Sequence, residues 1–272
     1  MTAVATAAVG LVLKPPPAPV RWSGGDVLAH DDVRDDLLAI LSDHGSVYDW
    51  AARMPQPRAL RGRAPVFVAA LPHSGHTIVV RHAWHGGLLA PLTGDRFLRP
   101  TRAPREMQIA AALLACGIPT SDICGAVRYA AGAGLVRVDV VSRYLEDSVD
   151  LGTVLAGLAP VYPLELALAA TSTLLRQLAR RGIVHPDLNV KNILLRPMSG
   201  PTSPAATLEA LVIDVDVLVW DAAWVGEVAM QRNVARLLRS MRKWRRQYSC
   251  DISDDTMAAF AAASHTQLRP TS

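Results

Sequence analysis

The sequence predicts an α+β protein in two parts: a small antiparallel sheet carrying one helix, then a mainly helical region. Three observations carry this. Short β-like runs crowd the first 145 residues, at Pro65–Leu71, Thr77–His82 and Val136–Val141. Helical spacing dominates the second half, from Leu164 to Arg181 and again through Val234, Leu237, Leu238, Met241 and Trp244. With 272 residues, 50% of them hydrophobic, the chain can bury one substantial core or divide into two lobes sharing a cleft.

Each element follows from its residues. Residues 1–25 are rich in Ala, Pro and Gly and read as a flexible N-terminal segment. The region 26–145 opens with helical spacing over Asp26–Ala52, where Val33, Leu37, Leu38 and Leu41 share a face. A weak strand over Met54–Leu60, interrupted by Pro55 and Pro57, comes next. The two better strands, Pro65–Leu71 and Thr77–His82, join through Pro72-His73-Ser74-Gly75-His76. In Thr77–His82, Ile78 and Val80 share one face while Thr77, Val79 and Arg81 share the other. A helix follows over Met107–Cys116, and Val136–Val141 is the last strand before the helical region 146–250. Gly182 reads as the C-cap of the Leu164–Arg181 helix, and residues 251–272 as a C-terminal helix or tail.

The chemistry lies just past Gly182. His185-Pro186-Asp187-Leu188-Asn189-Val190-Lys191-Asn192 runs into the strand Ile193-Leu194-Leu195, and after a loop Leu211-Val212-Ile213 runs into Asp214-Val215-Asp216. Phosphoryl transfer needs a carboxylate to take the acceptor hydroxyl's proton, and oxygen ligands to hold Mg²⁺ against the phosphates. Asp187 suits the first role; Asn192 and Asp214 suit the second. A capped turn entering an ordinary strand would explain the motif alone. Its position between a helix and a β-hairpin favours a two-lobed protein-kinase-like fold, with the sheet as N-lobe and the helices as C-lobe. Asn189 stands where many protein kinases carry Lys, and Asp216 where they carry Gly, which points to small-molecule or sugar kinases. Asp216 reads equally as a further metal or substrate contact and as the partner of a nearby Arg.

Lys14, Lys191 and Lys243 are the only lysines, so none lies where the strand-borne phosphate ligand of a kinase would stand. Arg81 is the strand position that can supply the charge, because a guanidinium pairs bidentately with phosphate or carboxylate. Glu106, opening the next helix, is its expected partner; an exposed strand arginine is the plainer reading. Arg61-Gly62-Arg63 is the candidate phosphate loop, with backbone N–H groups at Gly62 and the charge of Arg63, although a hairpin turn explains it equally well. His85-Gly86-Gly87-Leu88-Leu89 reads as a loop that closes over a ligand or as an inert connector.

Together these segments, with Gly94-Asp95-Arg96-Phe97-Leu98 and Asn233-Val234-Ala235-Arg236-Leu237-Leu238-Arg239-Ser240, resemble the bacterial lipopolysaccharide kinases. Within that group they are most similar to the 3-deoxy-D-manno-octulosonic acid (Kdo) kinases. The resemblance covers about residues 50–245. It implies transfer of the ATP γ-phosphate to a hydroxyl of Kdo on lipid A, an anionic glycolipid, at the cytoplasmic face of the inner membrane. It further implies ATP and Mg²⁺ as cofactors and Asp187 as the base. Asn192 and Asp214, with Asp216, fall to the metal; Arg81, Glu106, Gly62, Arg63 and Asn189 fall to the nucleotide. The chain departs from the family pattern at Ala83-Trp84-His85, Pro186, Val215 and Val217.

No run is long and apolar enough to span a bilayer, and the apolar stretch from Thr2 to Leu13 lacks the marks of a signal peptide. A cytoplasmic protein is expected, soluble or with peripheral inner-membrane contact. The net charge of +4 comes almost entirely from arginine and suits anionic partners, while no nucleic-acid module is visible. Cys116, Cys124 and Cys250 lack metal-ligand spacing and read as reduced thiols. Arg232, Arg236, Arg239, Arg242, Lys243 and Arg246 read as the solvated rim of a core helix or as a surface that meets anionic lipid. Two further functions stay open: a kinase of this fold for another acceptor, such as heptose or an aminoglycoside, and a catalytically silent kinase-like binding protein.

Overall fold

A computed structural model describes residues 10–54, 58–60, 65–84, 94–198, 207–248, 250 and 252–266. These divide into two compact units, one of residues 13–111 and 121–144, the other of residues 10–12, 112–120 and 145–266. The first is built on an antiparallel sheet, the second mainly on helices, so the architecture is α+β as expected.

The sheet unit has seven strands: β1 (Val20–Trp22), β2 (Gly25–Ala29), β3 (Arg58–Leu60), β4 (Val66–Ala70), β5 (Thr77–His82), β6 (Gly125–Ala130) and β7 (Val136–Arg143). Their order is β1-β2-β6-β7-β5-β4-β3. Strand β5 matches its predicted limits, and its alternation is the expected one: Ile78 and Val80 are fully buried while Val79 and Arg81 are only half-buried. Helices α1 (Asp31–His44) and α2 (Val47–Ala52) cover that face, with Val33, Leu37, Ile40 and Leu41 packed in one core with Ile78, Val80, Val127 and Val141. Helix α3 (Ala103–Ala115) starts four residues before the expected Met107.

The expected helix over Asp26–Ala52 is therefore corrected to a strand and two helices. Val27, Leu28 and Ala29 are all buried in β2, and a run that is apolar on both faces carries no period by which to tell strand from helix. Gly45, at φ 72, ends α1, and the Ser46 hydroxyl caps α2 by accepting from the Asp49 N–H at 3.1 Å. Gly25 admits no side chain, since a Cβ there would sit 1.9 Å from the Arg128 carbonyl oxygen on β6. Val20–Trp22 pairs with β2 inside the segment read as flexible.

The helical unit contains α4 (Leu151–Leu155), α5 (Leu164–Ala179), α6 (Glu227–Tyr248) and α7 (Asp254–Thr266). Helix α5 runs through its middle, burying Leu168, Leu174, Leu175 and Leu178. Val234, Leu237 and Met241 form the buried face of α6, as their spacing predicts. Helix α7 packs on α5 through a buried contact of 2.9 Å between the Ser172 and Ser264 hydroxyls. Two small sheets complete the unit: β8 (Val149–Asp150) with β10 (Ile193–Pro197) and β11 (Leu208–Val212), and β9 (Ile183–Val184) with β12 (Val219–Trp220). Among the described residues, no helix is long and apolar enough to cross a membrane.

Candidate active site

In the helical unit, α5 gives way to Gly182, whose φ of 67 turns the chain into β9. A Cβ at Gly182 would lie 2.2 Å from the Asp221 carbonyl oxygen, so the close approach as well as the backbone angle demands glycine. The loop from His185 to Asn192 then connects β9 to β10. Its shape is held by side chains of its own. The Asn192 Nδ2 donates to the Asp187 carbonyl at 3.0 Å, and the Asn189 Nδ2 donates to the same oxygen at 2.9 Å. Asn189 also accepts from the Lys191 N–H at 2.9 Å, so its amide serves the loop itself.

This arrangement sorts the polar atoms. With its Nδ2 committed to the loop, Asn192 has its Oδ1 left as an acceptor. Asp187 is exposed, and among the described residues no side chain or backbone N–H takes its carboxylate oxygens. Strands β10 and β11 pair Ile193 with Val212, and one step beyond that register the Ile213 N–H donates to the Asn192 carbonyl at 3.0 Å. The next residue is Asp214. It is exposed and sits in the left-handed region at φ 61, ψ 48, which Asp tolerates better than most residues but which still costs about 1 kcal/mol or more. Asp216 follows, half-buried, in a short 3₁₀ turn over Val215–Val217.

A histidine fastens the two chemical segments together. His185 is fully buried; its Nδ1 accepts from the Asp187 N–H at 3.2 Å and its Nε2 lies 3.2 Å from the Ile213 carbonyl. A nitrogen that accepts from an amide carries no proton, so the proton is on Nε2 and the ring is neutral. Burial pushes its pKa down, opposed by the Ile213 carbonyl and by Asp214, Asp187 and Asp216. The backbone at His185 is fixed in turn by Asn233 of α6, fully buried, which accepts from the His185 N–H at 3.0 Å and donates to the Ile183 carbonyl at 2.9 Å. Ser240, on the same helix, accepts from the Val190 N–H at 3.1 Å. Neither Asn233 nor Ser240 was assigned a role from sequence; a polar residue flanked by Val234 and Leu237 on an apolar helix face is the signal that could have shown Asn233.

Lys191 is occupied structurally: its Nζ is 3.0 Å from Asp150 and 5.0 Å from the centre of the Trp244 ring. In the sheet unit, Arg81 Nη2 is 2.5 Å from Glu106 Oε1, and the Glu106 side chain is only 6% exposed. Arg81 lies on β5 between Val66 of β4 and Val140 of β7. The expected pair is thus brought together from a strand and the first turn of α3. Gly62, Arg63 and the segment 85–89 lie outside the described residues.

The model of the lipopolysaccharide kinase (Kdo/WaaP) family matches residues 58–263. The chain belongs to that family. It is 26% identical over 219 residues to a 3-deoxy-D-manno-octulosonic acid kinase of Mannheimia succiniciproducens, covering 78% of this chain and 85% of that one. It is 28% identical over 212 residues to the enzyme of the same name from Xylella fastidiosa, covering 74% and 76%. A solved structure of WaaP in complex with acyl carrier protein aligns with a TM-score of 0.44 and 15% identity over 89% of this chain and 98% of that one, a likeness too distant to argue from. As a lipopolysaccharide kinase the protein is a phosphotransferase that acts on a hydroxyl of a lipopolysaccharide core, and ATP use comes with the family. The catalytically silent reading gives way accordingly.

Proposed function

We propose that the protein transfers the γ-phosphoryl group of ATP to a hydroxyl of Kdo on a lipid A precursor. The observation that carries the reading is the knot between Asp187 and Asn192, which leaves the Asp187 carboxylate exposed while its own backbone is tied to a metal-type amide. The acceptor oxygen attacks the γ-phosphorus, its proton passes to Asp187, and the bond from that phosphorus to the bridging oxygen of ADP breaks. Asn192 and Asp214 are hard oxygen donors one strand register apart, a set that fits Mg²⁺ better than softer metals, with Asp216 as an auxiliary ligand. Bound there, Mg²⁺ would neutralise phosphate charge. His185 holds Asp187 and the strand end before Asp214 in one frame, so base and metal ligands keep their spacing. Arg81, oriented by Glu106, contacts the nucleotide phosphates, and Gly62 and Arg63 are assigned to the same task.

Kdo as the acceptor is supported by the names of the relatives, at 26% and 28% identity. Such an acceptor is a glycolipid, so the enzyme would work at the cytoplasmic face of the inner membrane. The test offers the purified protein radiolabelled ATP with Kdo-lipid A and, separately, with heptosylated core, and maps the labelled product. Label on a Kdo hydroxyl is expected; label confined to heptose would transfer the assignment to another core sugar.

A further inference from the structure

Helix α6 carries Arg232, Arg236 and Arg239 at i, i+4 and i+7, which places them along one face. With Val184, Pro186, Val219 and Ala235 they line a groove of about 410 Å³. Its other wall comes from β9 and β12, paired through Val184 and Val219. Both strands adjoin the chemical segments: Val184 continues through His185 and Pro186 to Asp187, and Val219 follows the turn that bears Asp216. Pro186 immediately precedes Asp187 in the chain, so the groove adjoins the segment that bears the proposed base.

Among the described residues, no carboxylate pairs with the arginines of this groove. Arg232 stacks on Trp224, its guanidinium carbon 4.3 Å from the ring centre, which orients it. Like charges at i, i+4 disfavour a helix, so Arg236 and Arg239 add repulsion to the face of Arg232 with no carboxylate to offset it. Guanidinium forks match carboxylate and phosphate oxygens bidentately. A bilayer surface is broad, whereas this basic wall faces an apolar one across a concave site, which suits a single acidic group.

We propose that this groove binds an acidic group of the acceptor, a sugar carboxylate or a lipid-linked phosphate, and so presents the acceptor hydroxyl to Asp187. The proposal rests on the reading of the protein as a kinase of an acidic glycolipid and names where that substrate's charge is held.

The test uses the full chain with Kdo-lipid A in neutral detergent micelles. Arg236→Ala/Arg239→Ala should weaken micelle binding, measured without ATP, and raise the acceptor KM by about tenfold or more, the loss of one or two charge-assisted contacts. The KM for ATP should hold. Lys243→Ala/Arg246→Ala removes equal charge further along the same helix, beyond the groove, and should change binding by no more than about twofold, as for screened exposed charges. Esterifying the Kdo carboxylate, or removing the lipid A phosphates, identifies the recognised group: one modification should abolish the difference between wild type and the groove variant. The proposal is overturned if the groove variant binds like wild type, if wild type binds no micelles, or if the control pair weakens binding equally, which would indicate attraction to an anionic surface. Micelle binding that responds to the groove, without phosphate transfer to Kdo, would count against the Kdo-kinase reading and leave the groove standing.

Discussion

Replacing Asn233 with Ala is the sharpest structural perturbation of this enzyme that touches neither the proposed base nor a proposed metal ligand. The amide makes two buried hydrogen bonds, from the His185 N–H at 3.0 Å and to the Ile183 carbonyl at 2.9 Å, and its own exposure is 0%. Ala leaves both backbone groups buried without a partner, at about 1–3 kcal/mol each and hence about 2–6 kcal/mol together. Against a typical folding stability of about 5–15 kcal/mol that is a large fraction. The same loss releases the backbone that precedes Asp187, and a displacement of about 1 Å there is worth about a hundredfold in rate. Asn233→Asp keeps the acceptor for His185 but sets a carboxylate against the Ile183 carbonyl, so it should rescue neither property at neutral pH. Urea denaturation, reading the midpoint at constant m-value, gives the first quantity, and kcat of the surviving folded fraction gives the second. An Asn233→Ala protein within about 0.5 kcal/mol of wild type, inside the range of an ordinary surface substitution, would refute the claim that α6 anchors the catalytic loop.

Three further outcomes are expected. Arg81→Met should raise the KM for ATP by about tenfold or more, with Arg81→Lys intermediate because it keeps charge but loses the fork that pairs with Glu106; initial rates against ATP concentration check this. Buried His185 and half-buried His82 should give stability opposite pH dependences. His185, held below the ordinary value of about 6.5, contributes stability that is fully present above that pH and lost as pH falls toward its folded value. Burial also disfavours charge on His82, but Asp139 and then Asp95 outweigh it and raise its pKa, so its contribution is present below about 6.5 and lost as pH rises. Urea midpoints of wild type, His185→Gln and His82→Gln across that range should show each slope removed by its own substitution. Finally, Asp214→Asn should raise the Mg²⁺ concentration for half-maximal rate by about tenfold, since a charged ligand becomes neutral; an unchanged Mg²⁺ dependence would take Asp214 out of the metal site.

The parts of the fold legible in the sequence are those where burial writes a period. Strand β5 shows its alternation from Thr77 to His82, and α6 shows its stripe from Val234 to Met241. Val27-Leu28-Ala29 hid a strand because all three are buried. Tyr129 on β6 hid another polar connection: its hydroxyl donates to Asp139 at 2.6 Å and accepts from the N–H of Val47, 82 residues away, at 3.0 Å. The residues proposed for the chemistry could be named from sequence because Asp187, Asn192 and Asp214 stand in one short stretch and its partner strand, where spacing reflects geometry. The positioning residues were not, since Asn233 meets His185 from 48 residues away and only packing brings them together. The groove shows the same limit. Its arginines were visible as a basic rim, but their placement beside Pro186 depends on how α6 lies against β9.

The central claim is that Asp187 takes the proton of the acceptor hydroxyl. Asp187→Asn keeps the shape and the backbone contacts of the loop and removes only the basic oxygen. Transfer of labelled phosphate from ATP to Kdo-lipid A should fall by about a hundredfold to ten-thousandfold, with Mg²⁺-dependent ATP binding and the urea midpoint retained. Turnover within a few-fold of wild type would contradict the account.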